Sequence, residues 1–171
     1  MGNFKKKYVG TKHFGPTIDI TDPCYDKDVW CRINGLEIKE GDYNCIAWFD
    51  EENKRVAIAG IYLKNTRLPD FHKMKSIGDI GVDAGLAGFF MNKPDYTDNQ
   101  WSEFCDRTFK PDGRGNRKDA WIFDEGFFTS SGYGDGCYDV CVAENKKGEV
   151  YAVEILFYGP YKDEDEYEDE E

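Results

Sequence analysis

Residues 150–158 are apolar on both sides when the chain is laid out extended. Val153, Ile155 and Phe157 fall on one side; Ala152, Leu156 and Tyr158 fall on the other, together with a single acid, Glu154. A strand of this kind needs cover on both faces, which predicts a place in the middle of a sheet. Its hairpin partner lies just upstream: residues 137–143 form an apolar run, and residues 144–148 read as a turn. Gly148 there suits the left-handed position of a bulged loop.

A second hairpin is predicted from residues 43–49, where Asn44, Ile46 and Trp48 share a face, through a polar turn at 50–54 to a return strand at 55–63. Residues 77–90 are apolar but interrupted by Gly78, Gly81, Gly85 and Gly88. Each glycine costs a helix about 1 kcal/mol, so this segment reads as one or two kinked strands. Residues 120–123 and 127–130 read as shorter strands. One helix is predicted near 98–109. Thr97 or Asp98 caps it, Gln100 stands three residues after Thr97, and Trp101, Phe104, Cys105 and Thr108 share one face. Pro111 stops it, because the residue before a proline avoids helical geometry. The fold class that follows is mainly β: an antiparallel sandwich or partly open barrel with one short helix. Residues 1–160 form a single domain, and residues 161–171 an acidic C-terminal tail.

Charge narrows the partners. The net charge is −12, and residues 162–171 alone carry eight acids and one lysine. An acidic body without a basic aromatic stripe repels a phosphate backbone, so no nucleic-acid partner is expected. Residues 110–118 form a basic loop with Lys110, Arg114, Arg117 and Lys118, on which the tail could dock or an anion could sit. No membrane span is expected either, since no stretch nears the roughly 18 apolar residues required. Lys5, Lys6 and Lys7 are followed by polar sequence rather than a signal core, and Lys6 breaks the myristoylation pattern. The expected location is the cytoplasm. In that reducing setting the six cysteines are expected to be small, buried, reduced residues. Cys137 and Cys141 would lie about 13 Å apart on one strand, too far to bridge.

Three segments could carry chemistry. The first runs from Asp19 to Asp28 and contains Asp22-Pro23-Cys24-Tyr25. The second is Gly78-Asp79-Ile80-Gly81-Val82-Asp83-Ala84-Gly85. The third is Ser130-Ser131-Gly132-Tyr133-Gly134-Asp135-Gly136-Cys137-Tyr138-Asp139. Carboxylates converging from all three, namely Asp22, Asp83, Asp135 and Asp139, could hold a divalent cation such as calcium or magnesium. Each segment also has a purely conformational reading. Asp22-Pro23 initiates a turn, and a buried Asp83 would need a partner such as backbone amides at a bulge. The glycines would then serve a tight loop feeding a strand. The dinucleotide fingerprint fails at Cys137, and no nucleophile elbow is present, with Phe128 where its first glycine would stand. A Cys137 nucleophile would have to recruit His13 or His72, the only histidines.

Taken together, Asp22-Pro23-Cys24-Tyr25, Val82-Asp83-Ala84-Gly85 and Ser131-Gly132-Tyr133-Gly134-Asp135-Gly136-Cys137-Tyr138 resemble an uncharacterised family of small bacterial and phage proteins. The resemblance spans residues 17–158. In that family the middle segment is usually Val-Asp-Ser-Gly-Gln, so Ala84 and Leu86 are departures, and a small residue usually stands at Cys137. The resemblance implies one domain and a shared Asp/Gly loop geometry, with no activity attached. The expected function is a non-enzymatic binding module for a protein partner or small ligand, with Asp22, Tyr25, Asp83, Ser131, Tyr133, Asp135 and Tyr138 at its site. The alternative is a metal-dependent enzyme or metal-stabilised domain.

Overall fold

A computed structural model describes residues 4–70, 73–108 and 119–158. The basic loop at 110–118, His72 and the acidic tail lie outside the described residues. The chain forms eleven strands in two antiparallel sheets that do not close into a barrel, and one helix. The six-stranded sheet has the order β1-β4-β5-β11-β10-β6. Its members are β1 (Phe4–Phe14), β4 (Gly41–Asp50), β5 (Arg55–Leu63), β11 (Val150–Leu156), β10 (Gly136–Glu144) and β6 (Lys75–Val82). The five-stranded sheet runs β3 (Ile33–Glu37), β2 (Thr17–Thr21), β7 (Leu86–Phe90), β9 (Gly126–Ser130) and β8 (Ala120–Phe123).

The doubly apolar strand β11 is indeed interior, paired with β5 on one side and β10 on the other. Both predicted hairpins form. The glycine-broken segment resolves into β6 and β7, which belong to different sheets. Strands β1, β2 and β3 carry no clear sequence signal and were not anticipated.

The main core lies between the sheets and includes Phe14, Ile20, Tyr43, Ile61, Phe89, Phe127 and Ile155. A second cluster covers the other face of the five-stranded sheet. There α1 (Asp98–Thr108) lays Phe104 against Phe128, with ring centroids 5.0 Å apart. The helix starts as its sequence dictates. Thr97 Oγ1 accepts the Gln100 amide at 3.2 Å, and Gln100 Oε1 accepts the Thr97 amide at 2.9 Å, a reciprocal capping box. Among the described residues no helix is long and apolar enough to cross a membrane.

The cysteines depart from expectation. All six are free, but only Cys45 and Cys141 are buried, and Cys137 is exposed. Thiols at strand ends and in loops lack the two-sided cover that β4 and β10 give those two.

The outer face of the six-stranded sheet holds the one acid of β11. Glu154 is fully buried; its Oε2 accepts the Tyr62 hydroxyl at 2.5 Å, while its Oε1 has no hydrogen-bond partner. Tyr62 lies back over Gly60, where any side chain would collide with the Tyr62 ring, and also accepts Trp48 Nε1–H at 3.0 Å. Burial raises the Glu154 carboxyl to about 7, against the opposing pull of the Tyr62 hydroxyl. A folded-state value above the unfolded one favours folding below about pH 4.5, and that contribution is lost as pH rises through about 7. Glu154→Gln removes the titration. Denaturant unfolding should therefore show the variant gaining stability relative to wild type between pH 5 and pH 8, by up to about 3 kcal/mol. A pH-independent difference would contradict this assignment.

Candidate functional site

The three motif segments meet at one end of the sandwich, and a single carboxylate joins two of them. Asp22 follows β2 and is completely buried. Its Oδ1 accepts the Cys24 amide at 2.8 Å, closing the turn that Asp22-Pro23 begins. Its Oδ2 accepts the amides of Asp83 at 2.7 Å and Ala84 at 2.6 Å, in the connection between β6 and β7. Burial pushes the Asp22 carboxyl up, and the Ala84, Cys24 and Asp83 amides hold it back. The third segment is fastened next: the Ser131 amide donates to Gly85 O at 3.1 Å, and Gly136 and Cys137 of β10 pair with Val82 and Gly81 of β6.

The glycine loop holds itself rigid. Ser131 Oγ donates to Gly134 O at 2.9 Å, and the Gly134 amide donates to Ser131 O at 2.8 Å. Tyr138 OH donates to Gly134 O at 2.5 Å, with its ring edge-on to Phe157. Gly132 takes φ +58° and has Phe157 and Tyr158 at van der Waals range, so a side chain there would be strained and crowded.

This geometry leaves Tyr133 outward, 62% exposed. Its ring lies 5.0 Å from Tyr158, and the Arg55 guanidinium sits over it at 4.6 Å. Arg55 Nη1 also donates to Gly132 O at 3.1 Å. Behind this pair is a cleft of about 480 Å³, whose walls include Ala84, Gly85, Asp119, Ser131 and Arg55.

The predicted site residues divide accordingly. Ser131 and Tyr133 line the cleft, and Tyr138 and Asp22 build it from beneath. Tyr25 is turned toward Cys31, and burial with that contact pushes its hydroxyl up. Asp83 is exposed rather than buried, correcting the reading that it is the acid needing a partner: its backbone amide serves Asp22 instead. Asp135 is exposed, and Asp139 accepts Ser76 Oγ at 2.6 Å along the sheet. Among the described residues no three His, Cys, Asp or Glu side chains are grouped to hold a metal ion, so Asp22, Asp83, Asp135 and Asp139 do not converge.

Nucleophilic chemistry finds no partner set here. His13 is on β1, with β4, β5 and β11 between it and Cys137 on β10, and its ring faces Glu40 and Asp42 at 3.1 Å each. Cys24 is pushed far up by burial and by the Asp22 carboxylate, which keeps it a thiol. Arg55 and Asp119 were missed by the sequence reading. Arg55 is one cation at the end of a polar turn, and nothing local marks it.

No family model, no curated protein and no solved structure matches the chain.

Asp22 gives a direct test. Asparagine keeps the shape, but in either orientation its NH2 faces backbone N–H groups that the carboxylate accepts. Asp22→Asn should lower unfolding free energy by about 2–3 kcal/mol in urea at pH 7. A loss below about 0.5 kcal/mol, within the range of an ordinary surface substitution, would contradict the fastening role.

Proposed function

We propose that this chain is a non-enzymatic binding module of the bacterial or phage cytoplasm, recognising a protein partner through the rim of the glycine-loop cleft. The observation that carries this reading is the Tyr133–Arg55 pair, an exposed aromatic ring under a guanidinium, on a loop held by its own hydrogen bonds. Tyrosine and arginine dominate interface energetics because each brings large contact area and directional donors. A loop already rigid before contact loses little conformational entropy on binding, so more of the contact energy appears as affinity. Among the described residues Arg55 forms no ion pair, which leaves its outer nitrogens available to a carboxylate of the partner.

The test is affinity capture from a bacterial lysate, identification of the retained protein, and titration of that protein against wild type and Arg55→Ala/Tyr133→Ala. The double variant should bind about 30-fold more weakly or worse, corresponding to a hot spot of about 2 kcal/mol. Its unfolding free energy should stay within about 1 kcal/mol of wild type, since only one exposed cation–π contact is lost. Equal affinity for both proteins would remove the cleft rim as the recognition surface.

A further inference from the structure

A second cavity, of about 240 Å³, opens on the five-stranded sheet, away from the glycine loop. Thr17, Asp19, Lys27, Asn34, Asn92 and Lys93 are on its walls. Lys93 follows β7 and is only 6% exposed. Its ammonium donates to Pro94 O at 3.0 Å, lies 3.5 Å from Tyr25 O, and rests 4.2 Å from the centre of the Tyr96 ring. Among the described residues no carboxylate comes within ion-pair distance of it.

A second buried cation stands beside it. The Arg32 side chain is 1% exposed and donates from Nη1 to the same Tyr25 carbonyl at 2.9 Å. Its Nη2 is 3.3 Å from Asp19 Oδ2 but forms no hydrogen bond. Asp19, the one acid on the wall, is already occupied, because its other oxygen accepts the Gly35 amide at 2.9 Å. Asp26 and Asp95 act on Lys93 only from a distance. Burial, followed by repulsion from Arg32, pulls the ammonium down in spite of them.

A buried cation without a paired charge costs several kcal/mol, and two carbonyls and a ring offset only part of that. The surrounding side chains supply what an anion would need: a hydroxyl from Thr17, amide groups from Asn34 and Asn92, and a third cation, Lys27, at the mouth. We propose that this cavity is a binding site for a small oxyanion of the phosphate or sulfate kind, held by Lys93 and Lys27 and backed by Arg32. Charge-assisted bonds from an ammonium in a partly dry cavity are the strong class, and the neutral donors set orientation. The site is independent of the glycine-loop cleft.

Calorimetric titration of the full chain with inorganic phosphate, and separately with sulfate, tests this at low ionic strength, with sodium chloride as the screening control. Wild type should bind at least one oxyanion with a Kd of about 1 mM or tighter. Lys93→Met keeps the packing on Tyr96 and should weaken binding at least about tenfold, while Arg55→Ala, on the other site, leaves it unchanged. Should Lys93→Met fail to fold, Lys27→Ala at the exposed mouth decides the matter, with binding weakened about threefold or more. No heat beyond the chloride control in wild type overturns the proposal. So does Lys93→Met binding within twofold of wild type, or, in its absence, unaltered binding by Lys27→Ala.

Discussion

The carboxylate of Asp22 is the point on which the loop end of this sandwich depends. It is fully buried and accepts three backbone amides from two loops some sixty residues apart in sequence. Amides at a sheet's end have no ladder partner, and leaving them dry would cost more than burying one well-coordinated acid. Once the connection between β6 and β7 is fixed, Gly85 O is in place for the Ser131 amide, and the glycine loop follows. The exposed Tyr133–Arg55 pair is thus presented by a scaffold whose rigidity traces back to one side chain.

Two other charged groups lie inside the molecule on different terms. Glu154 sits within the six-stranded sheet with one oxygen unpartnered and its carboxyl raised to about 7. Lys93 and Arg32 share a single carbonyl on the other sheet. Asp22 has its hydrogen bonds complete and explains architecture, whereas the groups left incomplete, Glu154 and Lys93, are where titration and ligand binding are expected.

Much of the fold was legible because its signals are local. Alternation marked β4, β5, β10 and β11, glycine spacing marked the break between β6 and β7, and Thr97 with Gln100 marked the helix start. Strand β1 was illegible for a physical reason. It is an edge strand, exposed along most of its length and carrying Lys5, Lys6 and Lys7, which blunts the edge and erases the alternation a half-buried strand would show. At the site the three segments were singled out correctly, but not the roles within them. Which of Asp22 and Asp83 is buried is decided by contacts between loops distant in sequence, and no local pattern distinguishes them. Arg55, Arg32 and Lys93 are single cations whose meaning arises only from the rings, carbonyls and cavities that tertiary structure brings to them.

The most direct test of the central claim is amide hydrogen exchange by NMR on wild type and Asp22→Asn. The amides of Cys24, Asp83 and Ala84 bond the carboxylate, and the amide of Ser131 bonds the next loop through Gly85 O. The account predicts that all four are protected in wild type and that the variant loses protection at all four together, including Ser131. Loss confined to Cys24, Asp83 and Ala84, with Ser131 as protected as before, would show that the glycine loop stands without Asp22.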